Sequence, residues 1–499
     1  MKNIPEVNLG LVVGSTDWLP SDLTEQCRDV LAERYAELYP DDQMHVCRIC
    51  VTDNEVSVKR ALKDLGKAEC NALCLYFGNY GPEHTSCLLA DQFDGPVMFC
   101  GAGEDSEQNM SRGRKDTYTG LINACYGLGL RRQHVYLPPK PVGVVDECCR
   151  SIHEFYRIAR AMLALKDLKI IKFGPRPSSY FAACAPEYPL QGLGVELDEY
   201  SEMELYNSFE KHTGDQRIES VVTAMREELG EEHSPLFSFA QYEITINDWI
   251  RTHKGNRKYV AMTSTCWPAF PVNFGFVPCY VNSRLTDAGI PVACEVDVYG
   301  ALSEYIGQCV SGETVTILNY NNDIPADWYE KHVQGKTFNG KSYQKSDLFL
   351  GYHCGVTGCS KLKGGSLQPH FVNNQLIGPE KSQGTLHGQL RDGPVTLFRI
   401  QADAEGRLRA YTVEGQILPE RLDTYGGQGV IAVPEMERFY RHILLEQHYP
   451  NHFVLVSGHC GSILRALLYQ LGIEDIEYNH PKTIPYRGED IFLSDSNWF

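Results

Sequence analysis

Through its first three hundred residues the chain alternates short apolar runs with longer amphipathic stretches. That alternation constrains the fold more than any other feature. Val7 to Val13 (VNLGLVV), Met44 to Val51, Ala72 to Phe77, Pro96 to Cys100 and a short His134 to Leu137 read as strands. Ser21 to Leu38, Asn54 to Leu65, Tyr118 to Gly127 and a long Asp146 to Leu165 read as helices, with Ser21 a candidate N-cap. Repeated βα units imply a mainly parallel sheet covered by helices on both faces. A second α/β unit begins at Leu168 (LKIIKFGPRP) and continues through the acidic segment Arg226 to His233 and a helix around Tyr242 to Arg251. A strand at Tyr259 to Thr263 and a short strand with a following helix (PVACEVDVYGALSEYI) complete it. From about Thr314 the pattern changes to short β-branched pieces separated by Gly, Asn and Asp, among them VTILNY, LFLGYHC, VTLFRIQAD, LRAYTVEG and HFVLVSGH. The expected fold is α/β: two doubly wound α/β domains, residues 1–167 and 168–318, then a β-rich, barrel-like C-terminal domain, residues 319–499.

Charge and cysteine usage narrow the function classes. A formal net charge of −18 argues against a nucleic-acid groove, which needs clustered Lys and Arg, and against docking on an anionic membrane. No run of about 18 apolar residues offers a membrane span. The first residues, MKNIPEVNLGLVVGSTDW, lack the sustained apolar core of a secretion signal. Many of the 18 cysteines lie inside apolar runs, such as Cys70, Cys74 and Cys100. They read as small buried hydrophobes carrying free thiols in a reducing cytoplasm. Cys47 and Cys50 form a Cys-x-x-Cys without a second pair, and Cys354 and Cys359 stand five apart, so neither has the spacing of a structural zinc site.

Three stretches place ligand-type side chains in apolar surroundings. In Cys294-Glu295-Val296-Asp297 the two carboxylates stand two apart at a strand end, where they face one site or cap the next helix. Asn319-Tyr320-Asn321-Asn322-Asp323 is oxygen-rich and suits either a hard divalent cation or a polar turn. His353 (LGYHCG), His459 (SGHCG) and His452 (YPNHFVLV) adjoin strand-like runs, where a ring nitrogen reaches a metal or is satisfied within the core. No phosphate-binding GxxxxGK[ST] loop or GxSxG nucleophile elbow occurs, and the lone GAG lacks the context of a dinucleotide site.

The order CWP, CEVDVYGAL, the polar cluster, LGYHCG, GPVTLFRI and YPNHFVLVSGHCG resembles the L-fucose isomerase and L-arabinose isomerase superfamily over roughly residues 168 to 480. The resemblance implies two α/β domains and a β-rich C-terminal domain in a homo-oligomer, a hexamer or trimer, with active sites near subunit contacts. It implies a Mn²⁺-dependent (or other divalent-cation-dependent) exchange of aldose and ketose through a cis-enediol, with a small-molecule sugar as substrate. The fucose-type metal ligands are a Glu, an Asp about two dozen residues later and a late His. Glu295 falls on the Glu and His452 on the His, preceded by Asn451 as in the family. The Asp position holds Asn319, 24 residues after Glu295. His353 resembles an additional His of the arabinose-type branch. Metal ligation is thus expected from Glu295, Asn319 and His452, and sugar binding from Asn451 and His353. Asn can offer a carbonyl oxygen but cannot accept a proton at neutral pH. The second carboxylate beside the Glu295 base is therefore expected from Asp323, with Asp297 another candidate. The expected substrate is L-fucose, D-arabinose or a related sugar. A sugar-binding homologue with altered catalysis is the next reading, and an isomerase of a modified sugar, such as a sugar acid or sulfonated sugar, the third.

Overall fold

The computed structural model describes residues 3–19, 21–110, 114–230 and 235–490. By packing they divide into two compact units, one built from Pro5–Leu163 with Tyr469–Gly472, the other from the remainder.

The first unit carries a five-stranded sheet of β1 (Asn8–Gly14), β2 (Gln43–Val51), β3 (Ala72–Phe77), β4 (Val97–Ala102) and β5 (Val142–Gly143). The order is β2-β1-β3-β4-β5 and every pairing is parallel. β3 and β4 are buried along their whole length, as strands covered on both faces must be, which is why they read as continuous apolar runs. The helix Ser21–Leu38 spans the stretch the apolar pattern indicates. His134 to Leu137 does not form a strand. Only Tyr136 bridges, to Met98, and the prolines at 138, 139 and 141 remove the donors a ladder needs. The helix Glu83–Gln92 escapes a sequence reading because no side chain caps its start at Pro82.

The second unit contains two sheets. One is parallel, order β7-β6-β8-β9, from β6 (Leu168–Phe173), β7 (Glu196–Tyr200), β8 (Tyr259–Thr263) and β9 (Val292–Ala293). The helix read around Tyr242 to Arg251 runs from Leu236 to His253. Part of the acidic segment Arg226 to His233 lies outside the described residues. The larger sheet comprises β10 (Thr316–Asp323), β11 (Leu348–His353), β12 (Leu362–Pro369), β13 (Gln383–Leu390), β14 (Gly393–Ala402), β15 (Leu408–Ile417), β16 (Gly427–Ala432), β17 (His452–Ser457) and β18 (Asp475–Glu477). Its order is β12-β13-β16-β11-β10-β17-β14-β15-β18. β15 also pairs with β16, so β16-β11-β10-β17-β14-β15 closes on itself and abolishes two edges. The α/β organisation followed by a β-rich, barrel-like end agrees with the sequence pattern.

The helix Val298–Ser311 joins the parallel sheet to the barrel. Every residue from Val298 to Val310 is buried, the polar Ser303, Glu304 and Gln308 included. Its start is tight: a Cβ on Gly300 would stand 2.6 Å from Asp297 Oδ2, so only glycine lets the first turn close over that carboxylate.

Candidate active site

Glu295 lies where β9 hands over to the buried helix. The turn is strained, with Glu295 at φ +57° and the β-branched Val296 at φ +62°. Left-handed backbone at such residues costs on the order of 1–3 kcal/mol each and persists where the surroundings over-determine it. Hydrogen bonds from Val296 N to Ser264 O (3.2 Å) and from Asp297 N to Cys294 O (3.1 Å) hold the turn. It aims the Glu295 carboxylate, 21% exposed, at the His452 ring at the start of β17, with Oε2 3.3 Å from Nε2.

Asp297 is both the helix cap and a site residue. Its Oδ1 accepts the Gly300 N–H at 2.8 Å, while Oδ2 lies 2.9 Å from His452 Nδ1. The Arg399 guanidinium on β14 clamps both oxygens, at 2.5 and 2.8 Å, and is itself held by Gln401 Oε1. Arg399 and Asp297 are 0% and 2% exposed, so this is a buried, bidentate ion pair. Burial acts to raise the Asp297 pKa, but the charge of Arg399 and the bonds from His452 and Arg399 outweigh it and hold the carboxyl well below the usual range. Burial opposes a charged His452, yet its bonds to Asp297 and Glu295 lift its pKa to about 9. Glu295 shows the reciprocal effect. Desolvation pushes up, but His452 wins and lowers its pKa, so the carboxylate is ionised at neutral pH.

β10 and β17 are antiparallel neighbours, with Asn319 directly opposite His452. The Asn451 side chain donates to Asn319 Oδ1 and accepts from the Tyr180 hydroxyl at 2.9 Å. Tyr180 also lies 3.2 Å from His452 Nε2. His353, ending β11, is buried, with its ring centroid 5.6 Å from that of His452 and Nδ1 3.6 Å from Cys354 Sγ. Its Nε2 is buried with no hydrogen-bond partner. Glu304, about two turns along the buried helix, is 1% exposed, and its Oε2 is likewise unpartnered. Burial pushes its pKa up to about 8.

The structure thus brings Glu295, Asn319, Asn451 and His452 into one connected group, with His353 beside it. It does not bring Asp323 there. Asp323 is 89% exposed and paired with Lys345. Four residues past Asn319 is roughly 13 Å along a strand, and a register shift between Tyr320 and Asn322 breaks the alternation that would keep them on one face. The second acid beside the site is Asp297. His459 also lies elsewhere, against Glu414 and the Gly415 carbonyl. Sequence reasoning missed Arg399, Tyr180 and Glu304. A signal existed for Arg399, a cation within the apolar run VTLFRI, which a buried strand tolerates only when paired.

A strained carboxylate-bearing turn thus meets a buried His–Asp–Arg chain, and the sequence around it is similar to that of known proteins. Residues 10–166 match the family described as fucose/sulfoquinovose isomerase, N-terminal domain, and residues 366–478 match L-fucose isomerase, C-terminal domain. A sulfoquinovose isomerase of Clostridium sp. (strain MSTE9) is 25% identical over 374 residues, covering 72% of this chain and 76% of the relative. Sulfoquinovose isomerases of Priestia aryabhattai and Priestia megaterium are each 25% identical over 401 residues, covering 78% of this chain and 81% of theirs. The chain belongs to the L-fucose isomerase superfamily, a family of sugar isomerases.

Among the described residues all 18 cysteines are free thiols, and no helix is long and apolar enough to cross a membrane.

Proposed function

We propose that this protein is an aldose–ketose isomerase that works through Glu295, and that its substrate is a sulfonated hexose of the sulfoquinovose type. The observation that carries the reaction is the ionised Glu295 carboxylate, fixed by a strained turn against His452. The carboxylate removes the proton from the carbon next to the sugar carbonyl. It returns that proton to the former carbonyl carbon once a cis-enediol has formed, while a hydroxyl proton moves between the two oxygens. Tyr180, Asn451 and Asn319 supply neutral donors and acceptors for sugar hydroxyls. The names of the relatives move the sulfonated sugar ahead of L-fucose and D-arabinose, which the motifs alone put first.

The donors fit a divalent cation, Mn²⁺ or a similar ion. Asp297 occupies His452 Nδ1, the outer-shell arrangement that frees Nε2 for a metal. Glu295 lies on the Nε2 side, and Asn319 offers a carbonyl oxygen from the neighbouring strand. Glu295, His452 and Asn319 would hold the ion, which when bound polarises the carbonyl and hydroxyl oxygens as a Lewis acid. A homo-oligomer suits the exposed stripe Tyr118, Ile122, Tyr126 and Leu130, spaced four apart on one helix.

The test is aldose–ketose exchange in the presence of Mn²⁺ across sulfoquinovose, L-fucose and D-arabinose. Turnover of sulfoquinovose, and its fall by at least about a hundredfold in Glu295→Gln, are the expected results. Folded wild-type protein that stabilises on adding sugar but exchanges none of the three would favour the sugar-binding homologue instead. The neutral Asn319 in a ligand position motivates that reading.

A further inference from the structure

Next to His353, the same unit gathers thiols from distant parts of the chain. Cys266 lies in the loop after β8, and Cys279 opens the helix Cys279–Asp287. Cys354 follows β11, and His370 follows β12 as the N-cap of the helix Phe371–Ile377. Cys266 Sγ, Cys279 Sγ and His370 Nε2 all lie within 4.8 Å of one another, and all three residues are buried. The Cys354 thiol interacts with those of both Cys266 and Cys279, and the Cys294 thiol with that of Cys266. Packing alone does not ask for this arrangement, since small hydrophobes in a core need not turn their sulfur atoms to one point. Around a tetrahedral or trigonal ion with metal–sulfur bonds of about 2.3 Å, neighbouring sulfurs stand about 3.8–4.0 Å apart. A contraction of less than about 1 Å therefore brings the Cys266 and Cys279 sulfurs to that spacing.

The hydrogen bonds assign the role of His370. Its Nδ1 accepts the Asn373 N–H at 3.2 Å, so the neutral ring carries its proton on Nε2. That Nε2 faces Cys266 Sγ at 3.8 Å. The ring is therefore placed to donate to a Cys266 thiolate rather than to ligate, the outer-shell function that holds and tunes a metal-bound sulfur. The Asn373 side chain, donating to the Cys266 carbonyl at 3.2 Å, ties the two segments together.

We infer that Cys266, Cys279 and Cys354 form a second metal site, a three-thiolate pocket for a thiophilic d¹⁰ cation of the Zn²⁺ class, with His370 donating to the Cys266 sulfur. On binding, three metal–sulfur bonds form and the protons carried by those thiols leave to solvent, so uptake releases protons and tightens as pH rises. The spacings hide such a site from sequence analysis, because Cys279 stands 13 positions after Cys266 and Cys354 75 positions after Cys279.

The test uses full-length protein, reduced and stripped with a chelator, then titrated with Cd²⁺ or Zn²⁺ alone. One tightly bound ion per chain with a thiolate-to-cadmium absorption band is expected, with proton release on binding. X-ray absorption of the zinc form should show a sulfur shell at about 2.3 Å. Cys266→Ser and Cys279→Ala should each weaken binding at least tenfold. Asp323→Asn, on the exposed end of β10, should leave it unchanged. A first shell of nitrogen and oxygen only, absence of a tight ion, or unchanged affinity in both cysteine variants overturns the assignment. The absorption measurement on the unmutated protein decides the matter even where a variant fails to fold.

Discussion

Replacing Asp297 with Asn is the sharpest probe of how the site is held. Asn occupies nearly the same volume and still offers an oxygen to the Gly300 N–H, so the helix cap survives. The charge does not. Arg399, 0% exposed, then has only the neutral Gln401 oxygen, and a buried guanidinium is left without a counter-ion. Breaking one side of such a pair costs about 3–5 kcal/mol. With a urea m-value of about 3 kcal/mol/M, the midpoint should fall by roughly 1–1.7 M. The pH dependence has a definite sign. The folded pKa of Asp297 is depressed, so its stabilisation is present above the unfolded value and is lost as pH falls through the folded one. Urea midpoints of wild type and Asp297→Asn should therefore differ fully at pH 7 and converge only below about pH 4. Adding Arg399→Met removes the stranded charge and should recover more than half of the loss. A single-variant midpoint within 0.3 M of wild type, or a double variant as unstable as the single one, would refute the buried-pair reasoning.

Two further outcomes follow from neighbouring residues. Glu304 has a folded pKa raised to about 8 from 4.5, so the folded state holds its proton where the unfolded chain has lost it, and wild-type stability declines as pH rises between those values. At 1.36 kcal/mol per unit that is about 5 kcal/mol at most. Glu304→Gln should flatten the decline in denaturation curves taken from pH 4.5 to 8, and a parallel pair of curves would contradict it. At the strained turn, Val296→Gly relieves on the order of 1–3 kcal/mol of left-handed backbone while losing a buried side chain. It should cost at least about 1 kcal/mol less than Val292→Gly in β9, where the side chain is equally buried without positive φ. Chemical denaturation of both variants checks the difference.

Periodicity and composition, by themselves, determined the layer architecture. Alternating βα patterns force a parallel sheet, and the switch to short β-branched runs after residue 314 forces a sheet that must close or bury its edges. Local pattern marked Glu295 and His452 as candidates but left a helix cap and a core histidine equally open, and the family resemblance singled them out. Local pattern did not extend to partners. Asp323 has the right residue type four positions past Asn319, yet a strand's rise and a register shift carry it to solvent. Asp297 reads as a helix cap and is one, but only barrel closure sets Arg399 and His452 against its two oxygens. The same holds for Cys266, Cys279 and Cys354, scattered along the chain and gathered by three separate elements. Periodicity reports which face of an element is buried. Which buried group meets which depends on register and closure, long-range pairings that local sequence does not encode.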